Sequence, residues 1–185
     1  MNIVACLLCL GFWQLGAVEP PSATPWIAQN IMQNHWERVS AGGDASWPWP
    51  WNHTWPMARL SARSGEIDLV VLAGGGERTL AYGPGHLSAS ASPGAEGNSV
   101  IVGRADTHFS FLKDMAIGES MTVETVDGRL HVYSIVDLGV VHARNGTLAL
   151  DTDGAYLSLV TRYPFQGKDR GDGLMRYVVT ARKVL

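Results

Sequence analysis

The sequence predicts an all-β domain in which about eight short strands close, or nearly close, into a barrel. From Met57 onward, short apolar runs alternate with turn residues. Asp127-Gly128 stands between two alternating runs and is a strong hairpin signal. The chain has 185 residues, the size of one domain, and nothing in it marks a second. The predicted strands are residues 57–62, 67–72, 79–82, 99–103, 121–126, 129–136, 156–161 and 175–181, with one short helix near residues 109–115.

The N-terminus, residues 1–18, is predicted to be a signal peptide or a membrane anchor. Residues 3–18 are apolar except for Gln14. This run is shorter than the roughly 18 residues of a clear membrane span, and it fits a secretory segment better, although no Lys or Arg precedes Arg38. A buried N-terminal helix is the alternative. We expect export across, or anchoring to, a bacterial inner membrane, with the domain facing the periplasm.

Residues 19–56 are predicted to hold a linker, an amphipathic helix and a Trp/Pro-rich segment. The linker is Pro-rich, and Thr24 is a candidate N-cap with Pro25 at the first helical position. Helical spacing predicts about four turns, ended by residues 41–45. The apolar face comprises Ile27, Ala28, Ile31, Met32, His35, Trp36 and Val39.

The Trp/Pro-rich segment, residues 47–56, reads WPWPWNHTWP. Its three prolines exclude a regular helix or a central strand. Its four tryptophans could form a ligand-binding aromatic strip or could pack flat on the domain as a clasp. The clasp is favoured, because buried aromatic residues mostly serve packing.

Composition excludes several classes of function. A net charge of −3 and a pI near 6.0 argue against a nucleic-acid binder. The two cysteines, Cys6 and Cys9, both lie in the apolar N-terminal run, so the predicted barrel contains no thiol. This distribution fits an exported protein without disulfides. There is no Gly-x-Ser-x-Gly motif. Gly74-Gly75-Gly76 is interpreted as a turn and not a phosphate loop, because no Lys-Ser/Thr or helical pattern follows.

Two of the six histidines, His86 and His108, each follow a predicted strand. Together with Asp106 they could form a metal or acid–base site. The favoured alternative is ordinary loop histidines whose nitrogens bind backbone groups. We predict no metal and no cofactor.

Several segments, in order along the chain, resemble the sortases, and most of all the class GN sortases of Gram-negative bacteria. They are PWPW…TWP at 48–56, LAYGPGH at 80–86, Pro93-Gly94 with Gly97-Asn98, the run 102–112, LSLVT at 157–161, YPF at 163–165 and RYVVTA at 176–181. The resemblance implies an eight-stranded sortase-type barrel over residues 57–185 and a cysteine transpeptidase mechanism. In that mechanism a thiolate forms an acyl-enzyme, a histidine protonates the leaving amine, and an arginine stabilises the oxyanion or holds the substrate.

The resemblance transfers unevenly to the catalytic positions. Arg176 matches the family arginine, whereas Arg162 occupies the nucleophile position at the end of the Leu-x-x-Thr-Cys strand. Arg104 stands where Gly-His-Arg-Asp-Thr-His-Phe has its first histidine, and Ala105 replaces the arginine that follows. The motif then continues with Asp106, Thr107, His108 and Phe109. Arginine is neither a nucleophile nor an acid–base catalyst near neutral pH, so the family's covalent mechanism is lost.

We therefore predict three residues at catalytic positions, Arg104, Arg162 and Arg176, and three substrate contacts, Asp106, His108 and Thr161. The three arginines should line one cleft, where their repulsion requires an anion, an acidic partner or outward orientations. The implied partner is an exported protein with a sorting signal. The open readings are a sortase-family protein without transpeptidation, a sortase carrying substitutions, and a binding module for a sorting-signal peptide, an anionic ligand or another sortase.

Overall fold

The computed structural model describes residues 25–40, 54–146, 148–165 and 173–184, with side chains from 29 to 38 in the first range. The predictions for residues 1–24 and for Trp47, Trp49 and Trp51 lie outside the described residues. Over the described ranges, no helix combines the length and the apolar character needed to cross a membrane.

Eight strands close into a barrel in the order β1-β2-β3-β4-β7-β8-β6-β5. Two neighbouring pairs, β2–β3 and β4–β7, are parallel, and the other pairs are antiparallel. The closed barrel confirms the predicted fold class. The strands are β1 Pro56–Ala62, β2 Ile67–Ala73, β3 Gly85–His86, β4 Gly97–Val102, β5 Ser120–Thr125, β6 Leu130–His142, β7 Ala155–Arg162 and β8 Met175–Lys183.

The core fills the barrel because alternate residues of each strand point inward. On β7, Leu157 and Leu159 are fully buried in it, and on β8 Val179 and Ala181 lie in the same cluster. The intervening residues of both strands therefore lie on the outer face of the barrel. This alternation decides which side chains can form a site.

The predicted amphipathic helix is present as α1, Pro25–Ser40. It packs on the outer face of β2, where Met32 and Trp36 join Val70 and Leu72 in a second buried cluster. The Gln29 amide adds specific bonds, since its oxygen accepts from Val70 N at 2.8 Å and its nitrogen donates to a backbone carbonyl at 3.0 Å. The helix is thus fixed to the barrel by both apolar contact and hydrogen bonds.

The predicted strand at 79–82 was wrong. A one-turn helix, α2, spans Glu77–Leu80, and the third strand is the two-residue Gly85–His86. A short apolar run does not distinguish strand from helix by periodicity alone. Gly85 permits the strand to approach β2 closely, because a Cβ there would lie 2.0 Å from the Gly74 carbonyl oxygen. The Gly74–76 connection also leads into this short helix, contrary to the expectation that no helix follows it.

Strand β6 is longer than predicted and continues from Val136 to His142. Its register with β8 shifts between Ile135 and Asp137. A bulge of this kind interrupts period-two alternation, and so the sequence pattern ends where the bulge begins. The extension matters for the site, because it pairs with the part of β8 that carries Arg176.

The end of the Trp/Pro-rich segment is hydrogen-bonded to β2. The Thr54 hydroxyl donates to the Ala73 carbonyl at 2.6 Å, and Ala73 N donates to the Trp55 carbonyl at 2.8 Å. The Trp55 side chain itself is 61% exposed. These two hydrogen bonds to Ala73, and not this tryptophan's ring, therefore attach the end of the segment to the barrel.

Candidate functional site

Strand register places the three predicted arginines at neighbouring strand ends. In the antiparallel pair β7–β8, Arg162 lies directly opposite Arg176. In the parallel pair β4–β7, Val102 lies opposite Val160, and Gly103 N continues the ladder by donating to the Val160 carbonyl. Arg104 comes two residues after Val102, just as Arg162 comes two residues after Val160. We call Arg104, Arg162 and Arg176 the arginine row.

Arg162 and Arg176 both belong to the outer face. Their strand neighbours Thr161 and Tyr177 pair on the inner face, where Thr161 is 2% exposed and Tyr177 packs against the core. Two like charges directly opposite in a sheet destabilise it. Repulsion between these two guanidinium groups therefore disfavours the folded barrel unless other contacts offset it.

The three arginine side chains differ in the contacts that offset their positive charge. Arg104 forms a two-bond ion pair with Asp106, at 2.8 and 3.1 Å, and this pair raises the pKa of Arg104 and lowers the pKa of Asp106. Arg176 donates to the Gly173 and Met175 carbonyls, both at 2.8 Å. Arg162 is exposed, and within the described part of the chain its side chain has no hydrogen bond or ion pair. Arg162 is therefore the arginine of the row with a guanidinium open to a ligand.

A row of three valines lies beside the arginines on the same face. Val102, Val160 and Val178 are in register across β4, β7 and β8, and all three are half-buried. Gly75 backs onto one end of this valine row, since a Cβ there would lie 2.8 Å from a Val102 methyl. The face therefore combines an apolar strip with an adjacent cationic one.

Thr161, a predicted substrate contact, does not share this face. Its hydroxyl donates to the Gly103 carbonyl at 2.8 Å. This bond ties the end of β7 to the end of β4, one residue from Arg162 and one from Arg104. Its role toward substrate stays a prediction, while its observed contact fixes the backbone that carries two of the arginines.

The segment between Arg104 and Phe109 is anchored by the Phe109 side chain. Phe109 is fully buried, and its amide donates to the Arg104 carbonyl at 2.9 Å. Its ring lies against Gly103, where a Cβ would be 2.6 Å from a ring carbon. A 3₁₀ helix, Ser110–Asp114, follows and confirms the predicted short helix. This packing positions Arg104, Asp106 and His108.

His108 is buried, with 6% of its surface exposed, and neither ring nitrogen has a hydrogen-bond partner among the described residues. Burial, assisted by the charge of Arg104 and opposed by that of Asp106, lowers the pKa of His108 to about 4. The imidazole is therefore neutral at pH 7, with one nitrogen able to donate and the other able to accept.

The histidines and Asp106 do not assemble into a metal site. His86 is engaged in its own turn, where Nε2 donates to the Ala91 carbonyl at 2.9 Å. Over the described ranges, no three His, Cys, Asp or Glu side chains converge as metal ligands. His86 lies in β3 and not in a loop, but its ring binds a backbone group as the favoured alternative expects, whereas His108 has no such bond among the described residues.

The depressed pKa of His108 predicts a pH-dependent stability. The unfolded chain protonates this histidine below about pH 6.5, but the folded protein resists protonation down to about pH 4. Stability contributed by the neutral side chain is therefore lost as pH falls through this window, by about 3 kcal/mol. Urea unfolding at pH 7, 5.5 and 4 measures the loss, which His108→Gln should reduce. The control, His142→Gln, should retain it, and equal losses in all three proteins would contradict the prediction.

Comparison with known proteins agrees with this architecture. The family model for the sortase domain matches residues 60–184, which is more than half of the chain. The solved structures similar to it include a sortase D5 transpeptidase from Clostridium perfringens, with a TM-score of 0.65 and 17% identity over 88% of this chain and 99% of that one.

Two further solved structures have the same fold. Sortase A from Corynebacterium diphtheriae has a TM-score of 0.62 and 20% identity over 86% of this chain and 85% of that one. Sortase C1 from Streptococcus agalactiae has a TM-score of 0.62 and 18% identity over 70% of this chain and 68% of that one. No curated protein shows significant sequence similarity.

The closed eight-stranded barrel matches the fold of these solved structures. The chain belongs to the sortase family. Membership indicates a cell-envelope protein that acts on partners with a sorting signal.

Proposed function

We propose that this sortase-family protein binds an extended peptide on the outer face of β4, β7 and β8 without the thiol acyl transfer of its family. The observation that carries the proposal is Arg162, which stands at the end of β7, directly opposite Arg176, with a side chain that pairs with none of the described residues. In our proposal this guanidinium receives a carboxylate of the peptide or another anion.

The chemistry of the chain supports binding without acyl transfer. Its only cysteines are Cys6 and Cys9, outside the region that matches the family. Two hydroxyls close to the row in sequence are already engaged, because Thr161 donates to the Gly103 carbonyl and Ser110 donates to the Thr107 carbonyl at 2.9 Å. Neither hydroxyl has a general base as its partner in these bonds.

The composition of the face supports a peptide ligand with an acidic group. The valine row offers apolar contact for alternate side chains of an extended chain. A carboxylate between Arg162 and Arg176 would relieve their cross-strand repulsion, and arginine pairs with carboxylates through two parallel hydrogen bonds. Binding of the peptide would therefore also stabilise the folded barrel.

The experiment compares anion binding by the full chain and by Arg162→Ala. Phosphate, and a glutamate-containing peptide with valine neighbours, should raise the melting temperature of the unchanged protein. The same peptide with glutamine in place of glutamate should bind roughly fivefold more weakly, as should the glutamate peptide to Arg162→Ala. Arg182→Ala is the matched control, since Arg182 lies on the outer face at the opposite end of β8. An equal effect of both arginine variants, or no stabilisation by either ligand, would contradict the proposal.

We also propose that the protein is a class GN sortase relative that faces the periplasm from the inner membrane. The motif segments at 80–86 and 102–112 support the class, and the apolar run at 3–18 supports export or anchoring.

A further inference from the structure

A cavity of about 640 Å³ lies between α1, the start of β2 and the segment 107–111. One side of its lining is apolar, formed by Ile67, Leu69 and Phe111. The arginine row does not line it. It is large enough to enclose a small organic molecule.

The walls of the cavity are fixed by hydrogen bonds that leave little freedom. From α1, Gln33 Nε2 donates to the Asp68 carbonyl at 2.7 Å. The Asp68 carboxylate forms a two-bond ion pair with Arg59, at 2.6 and 2.7 Å. These polar groups are therefore already paired within the protein, and the Gln33 bond links α1 to β2 beside the cavity.

Two other lining groups are buried without partners. Neither ring nitrogen of His108 has a hydrogen-bond partner among the described residues, and the Thr107 hydroxyl has none either. Both residues line the same cavity. Buried polar groups in native proteins are almost always satisfied, so these atoms are available to a water molecule or a ligand in the cavity.

The charged residues of the cavity lining determine which ligand charge the cavity favours. Its two charged residues are both carboxylates, Glu66 and Asp68, and the described lining contains no Lys or Arg. Glu66 is exposed and, within the described residues, forms no ion pair. The neutral His108 adds an acceptor nitrogen and no positive charge at pH 7. Because the Asp68 carboxylate is neutralised by its ion pair with Arg59, the Glu66 carboxylate is the lining charge that favours a cation over an anion.

We propose that this cavity binds an organic ammonium ion with an apolar body. The ammonium group faces Glu66 and donates to His108 or the Thr107 hydroxyl, while the apolar body lies against Ile67, Leu69 and Phe111. This goes beyond the proposed function, because the site is separate from the arginine row and selects the opposite charge.

The test uses three probes that share a phenylethyl group and differ in charge, measured by calorimetry with the full chain at pH 7. They are phenethylamine, the neutral 2-phenylethanol and the anionic 3-phenylpropionate. Phenethylamine should bind saturably and at least fivefold more tightly than the other two. Failure of phenethylamine to saturate the folded protein, or equal binding of 3-phenylpropionate, would overturn the proposal.

Variants locate the binding. Glu66→Gln, at an exposed position, should weaken phenethylamine roughly fivefold without affecting folding, and His108→Asn should weaken it similarly. Glu96→Gln, an exposed glutamate outside the lining, and Arg162→Ala should leave the affinity unchanged. Unchanged affinity in both Glu66→Gln and a folded His108→Asn would place the probe elsewhere and overturn the assignment. Failure of the arginine-row proposal would instead appear only in the anion and peptide measurements.

Discussion

The double variant Arg162→Cys with Arg104→His is expected to regain cleavage of sorting-signal peptides. The strand register places position 162 opposite Arg176 and position 104 at the adjoining strand end. A thiol and an imidazole at these two positions would restore the groups that the family uses beside its arginine. Because each member of such a catalytic set contributes roughly 10²- to 10⁴-fold, we expect cleavage at least about 10²-fold above that of the unchanged protein.

Mass spectrometry of a peptide panel measures both cleaved products and an acyl adduct on the introduced thiol. Arg182→Cys with Arg104→His is the matched control, since it places a thiol on the same face but at the far end of β8, and it should stay inactive. A folded double variant at 162 and 104 that cleaves no peptide would contradict the idea that this face keeps the geometry needed for catalysis. It would favour a face adapted to binding alone.

Phe109→Ala is expected to lower the free energy of unfolding by about 3–5 kcal/mol. Phe109 is fully buried in the barrel core, packs edge-on against Phe111 with ring centroids 6.0 Å apart, and lies against Gly103. Its removal leaves a cavity beneath the segment that carries Arg104, Asp106 and His108. Peptide and anion binding should therefore weaken together with stability.

Urea unfolding followed by tryptophan fluorescence measures the loss. Val126→Ala serves as the control, because Val126 is 59% exposed and should change stability by less than about 0.5 kcal/mol. A cost below about 1 kcal/mol for Phe109→Ala would show that the segment is held by other contacts.

Most of the barrel was predictable because its strands are short, alternating and separated by turn residues. The prediction succeeded for β5 and the start of β6, where the Asp127-Gly128 turn fixes the hairpin. It was wrong for 79–82, since a four-residue helix and a two-residue strand carry too few residues for a period. The predicted strand 129–136 ended too early, because a bulge before Asp137 breaks the alternation on which the prediction relied.

The arginine row was accessible from the sequence because motif positions mark strand ends. The contacts that offset the charges of the row could not be predicted from the sequence. The ion pair of Arg104 with Asp106 and the carbonyl contacts of Arg176 depend on side-chain conformation. The burial of Thr161 followed from strand alternation with Leu157 and Leu159, a signal that the sequence did contain.

The cavity beside His108 was not predictable, because its walls come from three segments far apart in the chain. The sequence marked His108 as a substrate contact, a member of a metal or acid–base site or an ordinary loop histidine, and nothing near it in the sequence indicates Glu66 or Gln33 as neighbours. Such a site emerges only when the helix docks on β2.

The central claim is that the protein binds a peptide on this face without thiol acyl transfer. The direct test is mass spectrometry of the unchanged full chain after incubation with peptides that it binds. We predict that every peptide is recovered intact and that the mass of the protein is unchanged. Cleaved peptide, or an acyl adduct on any side chain of the unchanged protein, would contradict the claim.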